Sequence, residues 1–446
     1  MLPNFWSYKT VLSFKHPIDQ TVQTGPFGAQ LHSDDYVDEG VPFILIKNIK
    51  DGTIDPEGMP CITHADARRL ANYVLQKNDI VFSRVGRVGS CFLVEDEHIG
   101  WVISGQLLRL RLDLSNLDPH FLIHWIRSQY VERYIGNESV GSTRQSINSN
   151  ILSNMPIPNI PLVEQRHITY ILDTLDTTIR QTEAIIAKLQ QVKQGLLHDL
   201  MTRGIDANGQ LRPPVEQAPH LYKESPLGWI PREWDVKDLS TTCEYIIDCP
   251  HSTPNFQDDG VLVARTMHIK EGEFYITEAS KVSEKEYLKR IARLKPTAGD
   301  VVFTREAPVG EAFVIPIGMN ICLGQRVMLL RPRYGVLQSD FLLAQIYSGA
   351  VKERIATLTA GTTNPHLNVS EVKIFEIPLP PYEEQEAISA NIEGISRRQR
   401  REHSKLEKLT KAKSALMDDL LTGRVRVTAL LSGQTPASKE LERESA

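Results

Sequence analysis

One pattern is written twice in this chain, about half a chain apart, and that duplication restricts the fold more than any other feature. NDIVFSRVGRVGSCFLV (Asn78–Val94) returns as GDVVFTREAPVGEAFVI (Gly299–Ile315), 221 residues later. SGQLLRLR from Ser104 resembles LGQRVMLLR from Leu323, and GSTRQSIN from Gly141 resembles GTTNPHLN from Gly361. IPNIPLVEQRHI from Ile157 and HDLMTRGI from His198 return after 220 residues as IPLPPYEEQEAI and DDLLTGRV. The opening repeats too: PNFWSYKTV at Pro3 and PREWDVKDL at Pro231 share Pro, Trp and a final apolar residue. So long a period excludes a short-repeat solenoid and indicates a tandem duplication. Elsewhere the halves diverge, as in QTGPFGAQLHSDDYV against IDCPHSTPNFQDDGV. Shared landmarks with different filling suggest one architecture facing two targets; a duplication that merely drifted is the alternative.

Each half opens with roughly 150 residues of mixed character. Alternating segments (VPFILIKNI, DIVFSRV, QLLRLRL; VLVARTM, DVVFTRE, RVMLLRP) predict strands. DPHFLIHWIRSQYVERYI and QSDFLLAQIYSGAVKERIA each predict one shorter helix opening on an Asp or Ser cap. Beyond the proline-rich breaks at Ile157–Pro161 and Ile377–Pro381, both halves run without Pro for about 40 residues. In the first run a heptad holds Ile168, Leu172, Leu175, Ile179, Thr182, Ile186, Leu189, Lys193, Leu196 and Leu200. The second holds Ile388, Ile392, Ile395, Gln399, Glu402, Leu406, Leu409, Lys413, Leu416 and Leu420. Such spacing is a coiled-coil seam, on helices about 50–60 Å long at about 1.5 Å per residue. Each stripe needs a partner, and its copy in the same chain is the economical one. Polar seam residues fix register and partner or bind another subunit; for Lys193 and Lys413, snorkelling is an equal reading. The basic run Arg397, Arg398, Arg400, Arg401, Lys405, Lys408, Lys411 and Lys413 reads as a solvated face first, and as a strip along phosphates or an acidic partner second.

With 446 residues, 41% hydrophobic and 24% charged, the chain suits two or three globular domains. No apolar run spans a bilayer, and MLPNFWSYKTVLSFKHP lacks signal-peptide order, so a cytoplasmic site is expected. The five cysteines (Cys61, Cys91, Cys243, Cys249, Cys322) contain no C-x-x-C and read as scattered reduced thiols. A net charge of −5 neither supports nor excludes DNA, because phosphate contacts need local Lys and Arg.

The order SPLGWIPREWDV, GDVVFTREAPVG, GTTNPHLN, IPLPPYEEQEAI, long helix, LMDDLLTGRVRV, written twice, resembles the specificity (S) subunit of type I restriction–modification systems. The resemblance covers nearly the whole chain. It implies an α+β fold of two mixed target-recognition domains in tandem, each followed by a long helix, the helices forming an antiparallel coiled coil with pseudo-twofold symmetry. The expected segments are residues 1–156 (first recognition domain), 157–205 (central helix), 206–225 (linker), 226–376 (second recognition domain), 377–426 (C-terminal helix) and 427–446 (flexible tail). Each recognition domain would read one half of an asymmetric bipartite site on double-stranded DNA, and the helices would set the gap. The family docks two methyltransferase (M) subunits and, through them, restriction (R) subunits. S-adenosylmethionine would belong to the M subunits, ATP and Mg2+ to the R subunits, and no cofactor or metal to this chain.

No complete catalytic motif appears. Leu379-Pro380-Pro381-Tyr382 lacks the Asn or Asp of an adenine methyltransferase loop and reads as the lead-in to a helix. There is no Walker spacing. Glu371-Val372-Lys373 matches half a nuclease element by coincidence, and His120 and His124 lack a third ligand, so a packed or surface pair is the default.

Base readout needs Arg for guanine and Asn or Gln for adenine, with Ser, Thr and Lys for phosphates. At the repeated landmarks these are Arg84, Arg87, Gln106, Ser142, Thr143, Arg144 and Gln145, then Arg305, Gln325, Arg326, Thr362, Thr363, Asn364 and His366. Arg84 and Arg305 follow strands and are equally candidates for structural salt bridges. The GPFG turn (Gly25–Gly28) reads as structural, though near DNA. The rival to a DNA reader is a coiled-coil scaffold whose globular domains bind proteins.

Overall fold

The computed structural model describes residues 6–26, 31–50, 52–84, 90–138, 147–360 and 365–428. It divides into two compact units, Met1–Glu183 with Lys405–Ala446, and Ala184–Ser404, so the division cuts both long helices rather than separating the sequence halves.

In the first unit a four-stranded antiparallel sheet has the order Val22–Thr24, Leu107–Leu110, Ile80–Ser83, Cys91–Leu93. A smaller sheet places Val41–Ile44 between Cys61–Ile62 and Val102–Ile103, the last pair parallel. The second unit repeats both. Cys243–Asp248, Val327–Pro332, Val301–Arg305 and Val309–Val314 form the first sheet. Phe256–Gln257, Lys281–Val282, Val261–Ala264 and Ile321–Leu323 form the second. In both units the middle strands of the larger sheet are buried on each face, which is why Ile80–Ser83 and Val301–Arg305 are apolar nearly throughout.

Each predicted shorter helix is two helices, Pro119–Ile126 with Gln129–Glu138 and Ser339–Ile346 with Gly349–Thr359. The break falls at a buried serine, Ser128 or Ser348. Asp118 caps the first pair as predicted, accepting from the Phe121 amide at 2.8 Å. In the second pair the cap is Gln338, not Ser339; its side chain accepts from the Phe341 amide at 2.6 Å.

The long helices are Leu162–Thr202 and Tyr382–Thr422. Burial follows the heptad along both: every seam position is buried or half-buried, while Arg180, Lys188, Arg398 and Lys408 between them are exposed. Ile168 and Leu172 share a core with Leu420 and Leu421 in the first unit. In the second unit Leu200 and Met201 share one with Ile388. Among the described residues no helix is long and apolar enough to cross a membrane.

The helix starts are held by an identical Glu-Gln pair. Gln165 accepts from the Asp118 amide at 2.8 Å and donates to the Asn116 and Ile160 carbonyls at 3.0 and 2.9 Å. Gln385 accepts from Gln338 and donates to Val336 and Pro380, all at 2.9 Å. The glutamates reach further. Glu164, 2% exposed, takes a bidentate pair from Arg426 just past the second helix, at 2.7 and 2.8 Å. Arg426 in turn lies 4.2 Å over the Trp6 ring. Glu384 takes Arg212, beyond the first helix, at 2.5 and 3.1 Å, and also the Ile205 amide and Trp234 Nε1 at 2.9 and 3.1 Å. The proline-rich segment expected as a linker is therefore ordered around Arg212, and Tyr222–Ser225 within it pairs with Gly228–Pro231.

A charged group left behind in a buried pair costs far more than an exposed one. Arg212→Ala strands Glu384 where both partners are nearly enclosed (8% and 9% exposed), and should cost about 3–5 kcal/mol. Arg426 is 46% exposed, so Arg426→Ala should cost less, about 1 kcal/mol. Urea denaturation of the two variants checks the order; equal losses would refute the burial argument.

Candidate nucleic-acid interface

The sites marked by sequence gather where the smaller sheet hands the chain to the larger one. In the first unit the strand Ile80–Ser83 ends at Arg84, whose amide bonds the Gln106 carbonyl at 3.0 Å. In the second, the Arg305 amide bonds the Arg326 carbonyl at 2.9 Å. The Gly25 and Cys249 amides bond Leu107 and Val327 at 3.0 and 3.2 Å, and the Ile147 and Leu367 amides bond Arg84 and Arg305 at 2.9 and 3.0 Å. The backbone frame is thus the same in both units, with the chain after each polar loop returning to the candidate arginine.

That frame corrects one pairing. Matching letters aligned Gln106 with Gln325. Strand register pairs Leu107 with Ser83 and Val327 with Thr304, so the counterpart of Gln106 is Arg326 and that of Gln325 is Gly105.

Arg305 is the clearest resolution of an open reading. Its guanidinium is paired with Asp248 and lies 3.8 Å from Glu306; the Arg305 and Asp248 side chains are only 12% and 17% exposed. This is a structural ion pair. The first unit has Thr24 at the position of Asp248, since Thr24 pairs with Leu108 as Asp248 pairs with Met328. Arg84 there donates to the Gly105 carbonyl at 3.3 Å. Gln325 is also engaged at home, donating to the His251 carbonyl at 2.9 Å and accepting from Thr253 at 3.4 Å. Arg326 is 57% exposed, with Nε 3.3 Å from Glu306, and Gln106 is exposed. His366 bridges Glu306 through its backbone and is exposed. Cys249, His251, Arg305, Glu306, Gln325 and Arg326 line one cleft. Arg87, Ser142, Thr143, Arg144, Gln145, Thr362, Thr363 and Asn364 lie outside the described residues.

Asp248, Glu306 and His251 carry no mark in the repeat. Glu164 and Glu384 did have one, the Glu-Gln pair shared 220 residues apart. Gly25 is structural as read: a Cβ there would meet the Ser104 carbonyl oxygen at 2.1 Å.

The remaining polar groups have mundane employment. Buried His124 bonds Asp173 through Nε2 at 2.7 Å, while His120 is exposed. Burial alone would raise Asp173, but the His124 bond and charge hold it below the usual carboxylate range. His124, Asp173 and Asp176 offer ligand atoms within 4.8 Å of one another, yet Asp176 already holds the Lys413 ammonium. Burial lowers Lys193 below the usual lysine range. Of the basic run, Arg400 is paired with Glu393 and Glu273 at 2.6 and 3.2 Å, and Arg397 with Glu393 at 3.7 Å. Glu371 caps its own short helix through the Asn368 amide at 2.6 Å, and Tyr382 begins the second long helix. Burial pushes the Cys243 thiol up to about 12 and Cys322 to about 11, which keeps both protonated and unreactive.

The family model for the type I restriction modification DNA specificity domain matches this chain twice, at residues 29–191 and 231–411. The chain belongs to that family. It is 25% identical over 363 residues to the type I restriction enzyme MjaVIII specificity subunit of Methanocaldococcus jannaschii, covering 80% of this chain and 81% of that one. It is 20% identical to the EcoBI specificity subunit of Escherichia coli over 80% of this chain and 73% of that one. The solved S subunit from M. genitalium shares its fold, with a TM-score of 0.56 at 14% identity over 94% of this chain and 99% of that one. So does a chain solved in work on assembly and conformational transition of the type I R-M system, with a TM-score of 0.53 at 20% identity over 95% and 100%.

The geometry separates two kinds of candidate. Arg305→Ala leaves Asp248 unpaired and should cost about 1–3 kcal/mol or more. Gln106→Ala, at an exposed side chain, should stay within about 0.5 kcal/mol. Thermal unfolding of both variants decides; an undestabilised Arg305→Ala would return Arg305 to the contact residues.

Proposed function

We propose that this specificity subunit reads an asymmetric, two-part target on double-stranded DNA, one part with each mixed α/β region, and is inactive as an enzyme alone. The observation that carries the reading is the common frame at Arg84–Gln106 and Arg305–Arg326, which presents different side chains from one backbone arrangement. Two copies of a frame with unlike contacts suit two unlike half-sites. The family match favours DNA over a protein-binding scaffold.

In this proposal the two long helices pair antiparallel as a coiled coil that sets the distance between half-sites. The Glu164–Arg426 and Glu384–Arg212 pairs support it, since in each unit the start of one helix meets the end of the other. The complex would be cytoplasmic, with two M subunits carrying S-adenosylmethionine and R subunits using ATP and Mg2+. The basic residues of the second helix that stay exposed, Arg398, Arg401, Lys408 and Lys411, are available to phosphate or an acidic subunit surface.

Expression with the neighbouring methyltransferase, followed by genome-wide mapping of adenine methylation, tests the role. The expected result is a two-part motif with a fixed gap that disappears when this chain is omitted; unselective methylation would overturn the reading. The ruler has its own test. One heptad inserted between Glu183 and Ala184 and another between Ser404 and Lys405 adds about 10 Å, roughly three base pairs. The methylated motif should keep both half-sites and gain about that much gap; an unchanged gap would refute the ruler.

A further inference from the structure

Resting on that reading, the structure points to which side chain distinguishes the half-sites at one equivalent position: we propose that Arg326 reads guanine and that Gln106 reads adenine. The turn from the smaller sheet to the larger one is Ser104–Gly105–Gln106 in one unit and Gly324–Gln325–Arg326 in the other. Both turns are pinned by the same bonds, from the Ser104 and Gly324 amides to the Ile44 and Ala264 carbonyls at 3.0 and 2.8 Å. The Gln106 and Arg326 carbonyls then receive the Arg84 and Arg305 amides. Everything else at this corner of the second unit is committed to the protein. Arg305 is paired with Asp248, and Gln325 is bonded to the backbone of His251 and the hydroxyl of Thr253.

Arg326 differs from these neighbours. It stands at the rim of the cleft, 57% exposed, and its Glu306 contact runs through Nε at 3.3 Å. That contact aims the guanidinium while the two terminal amino groups remain for a bidentate contact, the geometry that guanine O6 and N7 accept. Its backbone holds φ at 66°, a left-handed conformation uncommon for a side chain of this size and a form of local strain that clusters at functional positions. Gln106, exposed at the same register, carries the amide that pairs with adenine N6 and N7. The two units would thus differ at this position by the donor fork of one and the donor–acceptor pair of the other.

The test uses the full chain in complex with its methyltransferase, and duplexes carrying each single-base variant of the target that methylation mapping defines. Arg326→Gln should reduce discrimination for G·C roughly 5- to 100-fold at one position of one half-site, and move the preference there toward A·T. Gln106→Arg should do the reverse in the other half-site. Arg326→Ala should relax the same position without a new preference. Unaltered preferences in Arg326→Gln and Arg326→Ala would overturn the proposal. So would a uniform loss at all positions in a variant that unfolds at the wild-type temperature, because that is the signature of a phosphate contact. If the wild-type complex itself recognises no two-part motif, the parent reading fails along with this one. A motif that persists intact in both variants leaves the parent reading standing and removes only the base assignment.

Discussion

A buried carboxylate at the start of each long helix is the constraint on which the rest of the architecture hangs. An enclosed charge must be paired, and its cost when stranded exceeds most single contacts in a domain of this size. The partners of Glu164 and Glu384 are 262 and 172 residues later and earlier, at Arg426 and Arg212. Each pair therefore draws a distant stretch of chain into its unit. Around Arg426 come Leu420, Leu421 and Val427, which join the core of the first unit. Around Arg212 come Leu200, Met201 and Ile205, which join that of the second. The pair supplies direction and register, and the apolar neighbours supply the area whose burial stabilises the contact.

It follows that the halves of the sequence are not the units of the fold. A duplication that kept its domains independent would close each copy on its own helix. Here the first unit takes Lys405 onward from the second copy, and the second takes Ala184 onward from the first. The neutral glutamines beside the glutamates have the opposite reach. Gln165 and Gln385 bond only to carbonyls and amides of the preceding helix cap, within about 50 residues, so the Glu-Gln dipeptide couples a local anchor to a distant one.

What could be seen in the sequence was whatever the duplication preserved with a period. The seam stood out because a heptad is a rule about spacing, and burial at Ile168, Leu172, Ile388 and Leu420 obeys that spacing. The sheets stood out through alternation at Ile80–Ser83 and Val301–Arg305. Two things resisted. Asp248 lies in the diverged part, opposite Thr24, so no repeat announced the pair that converts Arg305 from a contact residue to a structural one. The glycine–glutamine letters shared near Ser104 and Leu323 invited an alignment one residue out of register. Hydrogen bonds between strands, which are blind to side-chain identity, settle it differently. The break in each shorter helix was hidden as well, because Ser128 and Ser348 are unremarkable in a helical run.

The same backbone blindness explains how one frame can serve two targets. Strand pairing and the turn bonds fix where residues 106 and 326 emerge, and they do so through main-chain atoms alone. Substitution there leaves the ladder untouched, in contrast to Arg305, whose side chain is part of the scaffold in its own unit. A corner built this way separates stability from recognition residue by residue: Thr24 against Asp248 changes what holds the corner together, and Gln106 against Arg326 changes what it offers to the outside. The divergence between the halves then falls on two distinct layers. Only the outer one bears on sequence choice, and it is free to vary because the inner one does not depend on it.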